Sequence, residues 1–428
     1  MICLSAKGLS IIDLSRLRVR DYPKCFLKRN PFPSAAIPEE VPIITVDREP
    51  IIRHFQDVIA NLYQDGSSTV TVLVGDYGSG KSHLLRVFKH SINSQLLQLD
   101  EPVLAVYVKS PGRNMLDFFF TFLEDLGRPL LSDFSARVIK DYLQRTWAKS
   151  QRHIFDKEIR KKFEQKEITV ESLLKASTVN DLIAEIRRET FASVRSQDLV
   201  SAFLFLAHPD YSSTAWRWLL GEKLSSEERE NILVDASISD AKEAYLMMQS
   251  MFELLRSMGI KSLVLLIDEL EKIVFIPALQ RSQYQDDLRH LIDDNPKGLG
   301  LFFAIAPAQW SMLSREPTAL QRRLAGNIQL LDRFDEERIK DLVKEYIRIS
   351  RTEEFPEKEV KKKFPQCEVE LCPFTLDSIK LILEKTQGIV SNVILLCRKA
   401  LDYFIDNMDK YEAITSELIS AVAKQEGI

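Results

Sequence analysis

A chain of 428 residues that is 45% apolar and 28% charged has the balance of a soluble globular protein, with material for two or three domains and a large core. A formal net charge of −4 excludes a surface that is basic all over, so any nucleic-acid contact must come from a local patch. Five scattered cysteines (Cys3, Cys25, Cys367, Cys372, Cys397) suit a reducing compartment rather than a disulfide scaffold. Cys367 and Cys372 lack the second Cys/His pair that zinc needs. No run reaches membrane-spanning length and no secretory signal is visible, so a cytoplasmic protein with no membrane partner is expected.

Residues 1–45 read as an irregular N-terminal arm, because Pro23, Pro31, Pro33, Pro38 and Pro42 break any long helix. Within it, Asn30-Pro31-Phe32-Pro33 is a stiff turn with one aromatic anchor. It either packs on a domain surface or lines the adenine side of a nucleotide site. A helix is expected from about Pro50 to Tyr63, with Ile51, Ile52, Phe55, Val58, Ile59 and Leu62 at helical spacing. Asp47 is its candidate cap, and Pro50 suits its first turn.

The strand Thr69–Val74 runs into Gly75-Asp76-Tyr77-Gly78-Ser79-Gly80-Lys81-Ser82-His83, which fits the phosphate-binding loop G-x-x-x-x-G-K-[ST]. Gly75, Gly78 and Gly80 can adopt backbone angles closed to other residues, so successive N–H groups point inward around a phosphate. Lys81 would place positive charge on the β- and γ-phosphates, and Ser82 a hydroxyl on Mg²⁺. The helix that follows adds its N-terminal partial charge. Residues 75–83 are therefore the candidate ATP-binding segment.

Val103–Val108 is near-continuously apolar, as inside a parallel sheet. From Lys109 to about Lys261 the pattern is mostly helical. Met115–Leu126 carries a broad apolar face. Residues 136–166 are rich in Lys and Arg, diluted by Asp156, Glu158 and Glu164, and read as a solvated helical face or as phosphate contacts. Trp216 and Trp218 read as core anchors. A long helix spans about 239–258.

Ser262–Ile267 is an apolar strand ending in Asp268-Glu269. Asp268 can hold Mg²⁺ through water, and Glu269 can polarise the water that attacks the γ-phosphate. Far more chain separates Lys81 from Asp268 than one strand–helix–strand crossover needs, so a helical insertion of about 110–260 is expected to project from the nucleotide domain. A helix over Arg281–Asp293, a buried strand Gly300–Ala306, a basic helix at Leu320–Leu324 and a short strand Ile328–Leu331 follow. From Asp335 onward helices at about 335–351, 375–386, 390–408 and 416–425 are expected, with Asp335 and Thr415 as caps.

Together these landmarks resemble an AAA+ ATPase of the origin-recognition type: an α/β P-loop NTPase with a parallel sheet flanked by helices, a large helical insertion and a C-terminal helical lid. Val46-Asp47-Arg48-Glu49 is similar to that family's entry motif near the adenine, which places Arg48 among the nucleotide contacts. Gln387-Gly388-x-x-x-x-x-Ile394-x-Leu396-Cys397-x-x-Ala400-Leu401 is similar to its lid helix and to that of transposon-regulator ATPases. The resemblance implies an N-terminal arm at 1–45, a nucleotide domain at 46–334 and a lid at 335–428. Trp218-Leu219-x-Gly221, Asp268-Glu269-Leu270-Glu271 and Arg281-x-x-Tyr284…Leu288-Arg289-x-Leu291-Ile292-Asp293 resemble the ATP-binding proteins of bacteriophage-exclusion (BREX) islands, which implies a defence or mobile-element setting.

The sequence also departs from the AAA+ pattern. Ala306-Pro307-Ala308 stands where a polar sensor is usual, and Ser391 where the lid carries an arginine. Ile428 comes too soon for the winged-helix domain that origin-recognition proteins add. Arg322 and Arg323 stand where such ATPases carry an arginine finger acting in trans, or are solvated helix charges. The resulting expectation is an ATPase with ATP and Mg²⁺ as cofactors, a homo-oligomeric switch or motor, with DNA and an effector protein as candidate partners. The alternative is a nucleotide-gated protein-interaction module that recruits an effector without touching DNA.

Overall fold

The computed structural model describes residues 20–34, 45–46, 48–149, 161–162, 165, 169–175, 179–315, 318–352 and 356–427. Asp47 and residues 150–160, 163–164 and 166 of the basic stretch lie outside them. The chain divides into two units, one within Glu39–Asp332 and one formed by Met1–Pro38 with Arg333–Ile428.

The first unit is built on five strands: β1 (Thr69–Gly75), β2 (Val103–Val108), β3 (Ser262–Ile267), β4 (Leu299–Ile305) and β5 (Ile328–Leu331). All pairings are parallel, in the order β2-β3-β4-β1-β5. β4 therefore lies between the strand that carries the glycine loop and the strand that carries the acids. Strand spacing sets their backbones about 10 Å apart. Val74 is in register with Ile305, and Phe303 with Ile267, so both motifs leave the same edge of the sheet.

Side-chain alternation divides the sheet's faces. Leu73, Ala105, Leu266 and Phe302 meet α1 (Glu49–Gln64) and α2 (Lys81–Gln95), with Phe55 stacked on Phe88 at 3.8 Å between ring centroids. Val72, Val106, Leu265 and Phe303 belong to the opposite cluster. That cluster is continuous with Phe118, Phe122, Trp218 and Phe252 of the segment between β2 and β3.

The expected insertion is present, but its base does not project. α3 (Met115–Leu126) packs on β2 and on the helix Ala241–Ser257, and the buried residues of both helices join the cluster on the second face. The reason is that a parallel sheet with apolar residues on both faces needs a layer on each. Both tryptophans pack in this layer, Trp218 donating Nε1–H to the Ala236 carbonyl at 2.7 Å.

The second unit contains the helices Glu336–Ser350, Glu357–Lys363, Leu376–Thr386, Val390–Asp406 and Ser416–Glu426. Asp335 caps the first, accepting from the Arg338 N–H at 2.9 Å. Thr415 occupies a cap position without a side-chain bond; Asp377 instead accepts from the Ser416 N–H. The segment around Phe32, expected as part of a separate arm, is built into this unit. Phe32 is buried against Tyr346 and Phe374, its carbonyl accepts from Arg398, and Leu27 pairs with Arg351. An aromatic side chain flanked by two prolines has little entropy to lose on burial, which favours this docking.

Candidate nucleotide site

The loop after β1 is shaped by its own backbone. Gly75 lies so close to Ser79 and Leu331 that a Cβ there would stand 2.6 Å from Ser79 Oγ and 2.8 Å from Leu331 Cβ. Gly80 has φ +99, in the region that glycine favours, and precedes the first turn of α2. The Ser79 N–H closes a turn onto the Asp76 carbonyl. Tyr77 is exposed, and Lys81 Nζ lies 5.5 Å from its ring centroid.

Three observations fit an anionic ligand in this loop. The N-cap position of α2 is Gly80, so no side chain caps the first-turn N–H groups of Lys81, Ser82 and His83. Ser79 Oγ is buried with no partner among the described residues. The Lys81 ammonium is buried and rests on the loop's own carbonyls, Gly75 at 2.7 Å and Asp76 at 3.1 Å. Burial pushes the Lys81 pKa down, against the pull of Glu271, Asp268 and Asp76. A phosphate would supply the charge that these carbonyls only partly replace.

Arg48, expected near the adenine, is buried behind the loop. Its guanidinium donates to the Ser79 carbonyl at 2.9 Å and the Asp332 carbonyl at 3.3 Å, bracing the loop from outside. His83 Nε2 lies 3.1 Å from Thr45 Oγ1.

At the end of β3, Asp268 is 3% exposed. Its Oδ1 accepts from the Glu269 N–H at 2.9 Å and its Oδ2 from the Tyr107 hydroxyl at 2.8 Å. Each oxygen keeps a lone pair, so a metal-bound water can still be held. Ser82 and Asp268 supply oxygen ligands of the kind Mg²⁺ takes, one or two from the protein with phosphates and water completing the shell. No cluster of three or more metal-binding side chains occurs among the described residues.

Glu269 has φ +53 and ψ 39, and its carboxylate is ion-paired with Lys272 and 42% exposed. The acid that is buried is Glu271, 7% exposed, in the turn Leu270–Phe275. Burial raises its pKa, only partly offset by its own backbone N–H and by Lys81. Glu271 and Tyr107 are the site residues that the motif did not single out. The available signal for Glu271 was a carboxylate set between apolar Leu270 and Ile273.

Arg322 and Arg323 lie on the helix Ala319–Leu324, away from these contacts. Arg323 is held by Asp293 at 2.9 Å, whereas Arg322 is exposed and its guanidinium has no partner among the described residues. Ser391 belongs to the other unit. The helix Ala278–Asp293 is tied to the loop after β2 by Tyr284, whose buried hydroxyl donates to the Pro111 carbonyl.

The description of the BREX system ATP-binding protein BrxC/D family matches residues 130–416, more than half of the chain. The chain belongs to the BrxC/D family. An AAA domain description matches residues 64–160, the stretch that holds the glycine loop. This BrxC/D-family protein is thus an ATP-binding P-loop protein of the AAA+ class, as its motifs led us to expect. Among solved structures it is similar to the Orc1 protein of Aeropyrum pernix in complex with DNA, at 12% identity over 91% of this chain and 68% of that one, with a TM-score of 0.47. It is also similar to the Orc2 protein of Aeropyrum pernix in ADPNP–ADP complexes, at 9% identity over 91% and 71%, with a TM-score of 0.46. No curated protein matches the chain. No helix among the described residues is long and apolar enough to cross a membrane.

Proposed function

We propose that this BrxC/D-family protein hydrolyses ATP and acts as a homo-oligomeric switch or motor on DNA, in a defence, replication or mobile-element setting. The nucleotide domain would span 46–334 and the lid 335–428. Residues 75–83 bind the phosphates through backbone N–H groups and Lys81. Ser82 and Asp268 hold Mg²⁺, which when bound neutralises charge on the β- and γ-phosphates. Glu269 polarises the attacking water. Arg322 or Arg323 reaches a neighbouring subunit's ATP.

The observation that carries this reading is the buried Lys81 ammonium, held on loop carbonyls while the carboxylates of Asp268 and Glu271 act on it from the end of β3. A group so placed is poised for a ligand that brings negative charge. The test is phosphate release from ATP by the full chain, with and without Mg²⁺, alongside a mass measurement. Turnover with an ATP-dependent gain in mass is expected. A monomer that releases no phosphate ends the proposal.

The DNA-directed part is supported by the motif resemblance to origin-recognition ATPases. Duplex DNA should be bound with ATP at low salt and released as salt rises. A second reading, a nucleotide-gated module that recruits an effector, is favoured by exposed apolar side chains on the segments after β3 and β4. Phe275 is 70%, Leu279 85% and Met312 52% exposed. Absence of DNA binding at low salt would leave this second reading standing.

A further inference from the structure

We propose that the surface formed by the helix Glu357–Lys363 and the segment Lys24–Arg29 seats the phosphate backbone of duplex DNA. The proposal rests on the DNA-directed reading above and names a surface for it. The chain as a whole carries a net charge of −4, so cations gathered in one place stand against its average. Val360, and Phe364 just after the helix, are buried and fix the side that faces the protein. Lys358, Lys361 and Lys362 are exposed on the opposite side, at the i, i+3 and i+4 spacing that makes one stripe. None of the three has an ion-pair partner among the described residues.

Contacts bring the second stretch beside this helix. Lys363 Nζ donates to the Lys24 carbonyl at 2.8 Å, 339 positions away in the chain, and lies 5.8 Å from the Phe26 ring centroid. The Phe26 carbonyl accepts from the Thr352 N–H at 3.1 Å, and the Lys28 N–H donates to the Ser350 carbonyl at 2.7 Å. Arg29, the next residue, is exposed and also lacks an ion-pair partner among the described residues. Lysines in a last turn suit the negative end of a helix dipole, which alone would account for Lys361 and Lys362. It does not account for Lys358 in the first turn, where a cation opposes the dipole, nor for Arg29 outside the helix. A row of phosphates accounts for all four, with released counterions driving the contact. No large apolar side chain is exposed within 20–29 or 356–364, so the surface lacks the anchor that a membrane or a peptide partner would use. Nor does it expose an aromatic ring on which unpaired bases could stack. Cations alone suit a duplex backbone, held for position and not for sequence.

The experiment measures the affinity of the full chain for a fluorescent duplex, with ATP present, across a salt series. Lys361→Ala with Lys362→Ala is compared with Lys340→Ala with Lys344→Ala. The second pair removes equal charge from the same unit, at lysines already held by Glu368 and Glu370 at 3.0 and 2.9 Å. The Lys361/Lys362 variant should lose at least about tenfold at low salt, and its plot of log affinity against log salt should flatten by about 0.9 for each contact removed. The loss should be the same for duplexes of different sequence. Glutamine at both positions should give the same loss, and serves if the alanine variant does not fold. The Lys340/Lys344 variant should stay within about threefold of the unaltered chain. Unchanged affinity and slope in the Lys361/Lys362 variants, an equal loss in the Lys340/Lys344 variant, or tighter binding of a single strand than of the duplex overturns this surface and leaves the DNA-directed reading standing. Absence of duplex binding by the unaltered chain overturns that reading, and this assignment with it.

Discussion

The hydroxyl of Tyr107, at the end of β2, donates to Oδ2 of Asp268, at the end of β3, across 2.8 Å in a buried setting. Burial beside this carboxylate pushes the Tyr107 pKa up, so the phenol stays a donor at any working pH. Arg86 of α2 lies over the same ring at 5.3 Å. Tyr107 thus fixes the orientation of the acid proposed to hold Mg²⁺. Tyr107→Phe should cost about 1.5–3 kcal/mol, the range for a hydrogen bond to a charged group. A urea titration reads that loss, and the Mg²⁺ concentration for half-maximal ATP binding should rise alongside it. Unchanged values for both would mean that Asp268 is positioned by other contacts.

Lys81→Ala should remove the stabilisation that ATP gives. A ligand at about 100 times its Kd stabilises a protein by about 2.7 kcal/mol. The unaltered chain should therefore melt higher with Mg-ATP, and the variant at one temperature with or without it. An equal ATP-induced shift in both proteins would place the nucleotide elsewhere.

The pKa of Glu271 is raised above its ordinary value of 4.5, chiefly by burial. For an acid raised in this way, its contribution to stability is full below the ordinary glutamate range and is lost as pH rises through the folded value. Lys81 opposes the shift, and Asp268 and Glu269 add to it. Glu271→Gln should remove this loss. Its melting temperature should match that of the unaltered chain below the ordinary glutamate range and exceed it once pH has risen through the folded value, levelling off above that. A gap that stays constant with pH would contradict the assignment of the shift to this carboxyl.

Arg323 is already paired with Asp293, so Arg322 is the arginine open to a neighbouring subunit. Arg322→Ala should lower phosphate release at least about tenfold, a modest share of what a trans-acting arginine supplies. Mixing it with Lys81→Ala should restore part of that release, because each variant lends what the other lacks. Arg323→Ala should cost less than about 1 kcal/mol in stability, since its ion pair is half exposed. No recovery on mixing would leave Arg322 as a solvated charge.

Much of this molecule was legible from short-range signals. The spacing of Gly75, Gly80, Lys81 and Ser82, the apolar run before Asp268 and the helical period of Ile51, Phe55, Val58 and Leu62 are local. The strands and helices formed where those patterns placed them, because backbone angles and side-chain periodicity act over a few residues. Non-local packing decided the rest. Nothing in the run of residues says that β4 lies between β1 and β3, or that α3 and Ala241–Ser257 close the sheet. Nor does it say that Phe32 is buried among residues from the far end of the chain. The acids show the difference most sharply. Asp268, Glu269 and Glu271 are all acids in the sequence, but the left-handed turn at Glu269 and the packing around Leu270 and Ile273 leave Glu269 half-exposed and bury the other two. Which carboxylate loses its water depends on neighbours brought from distant parts of the chain, and that desolvation sets its chemistry.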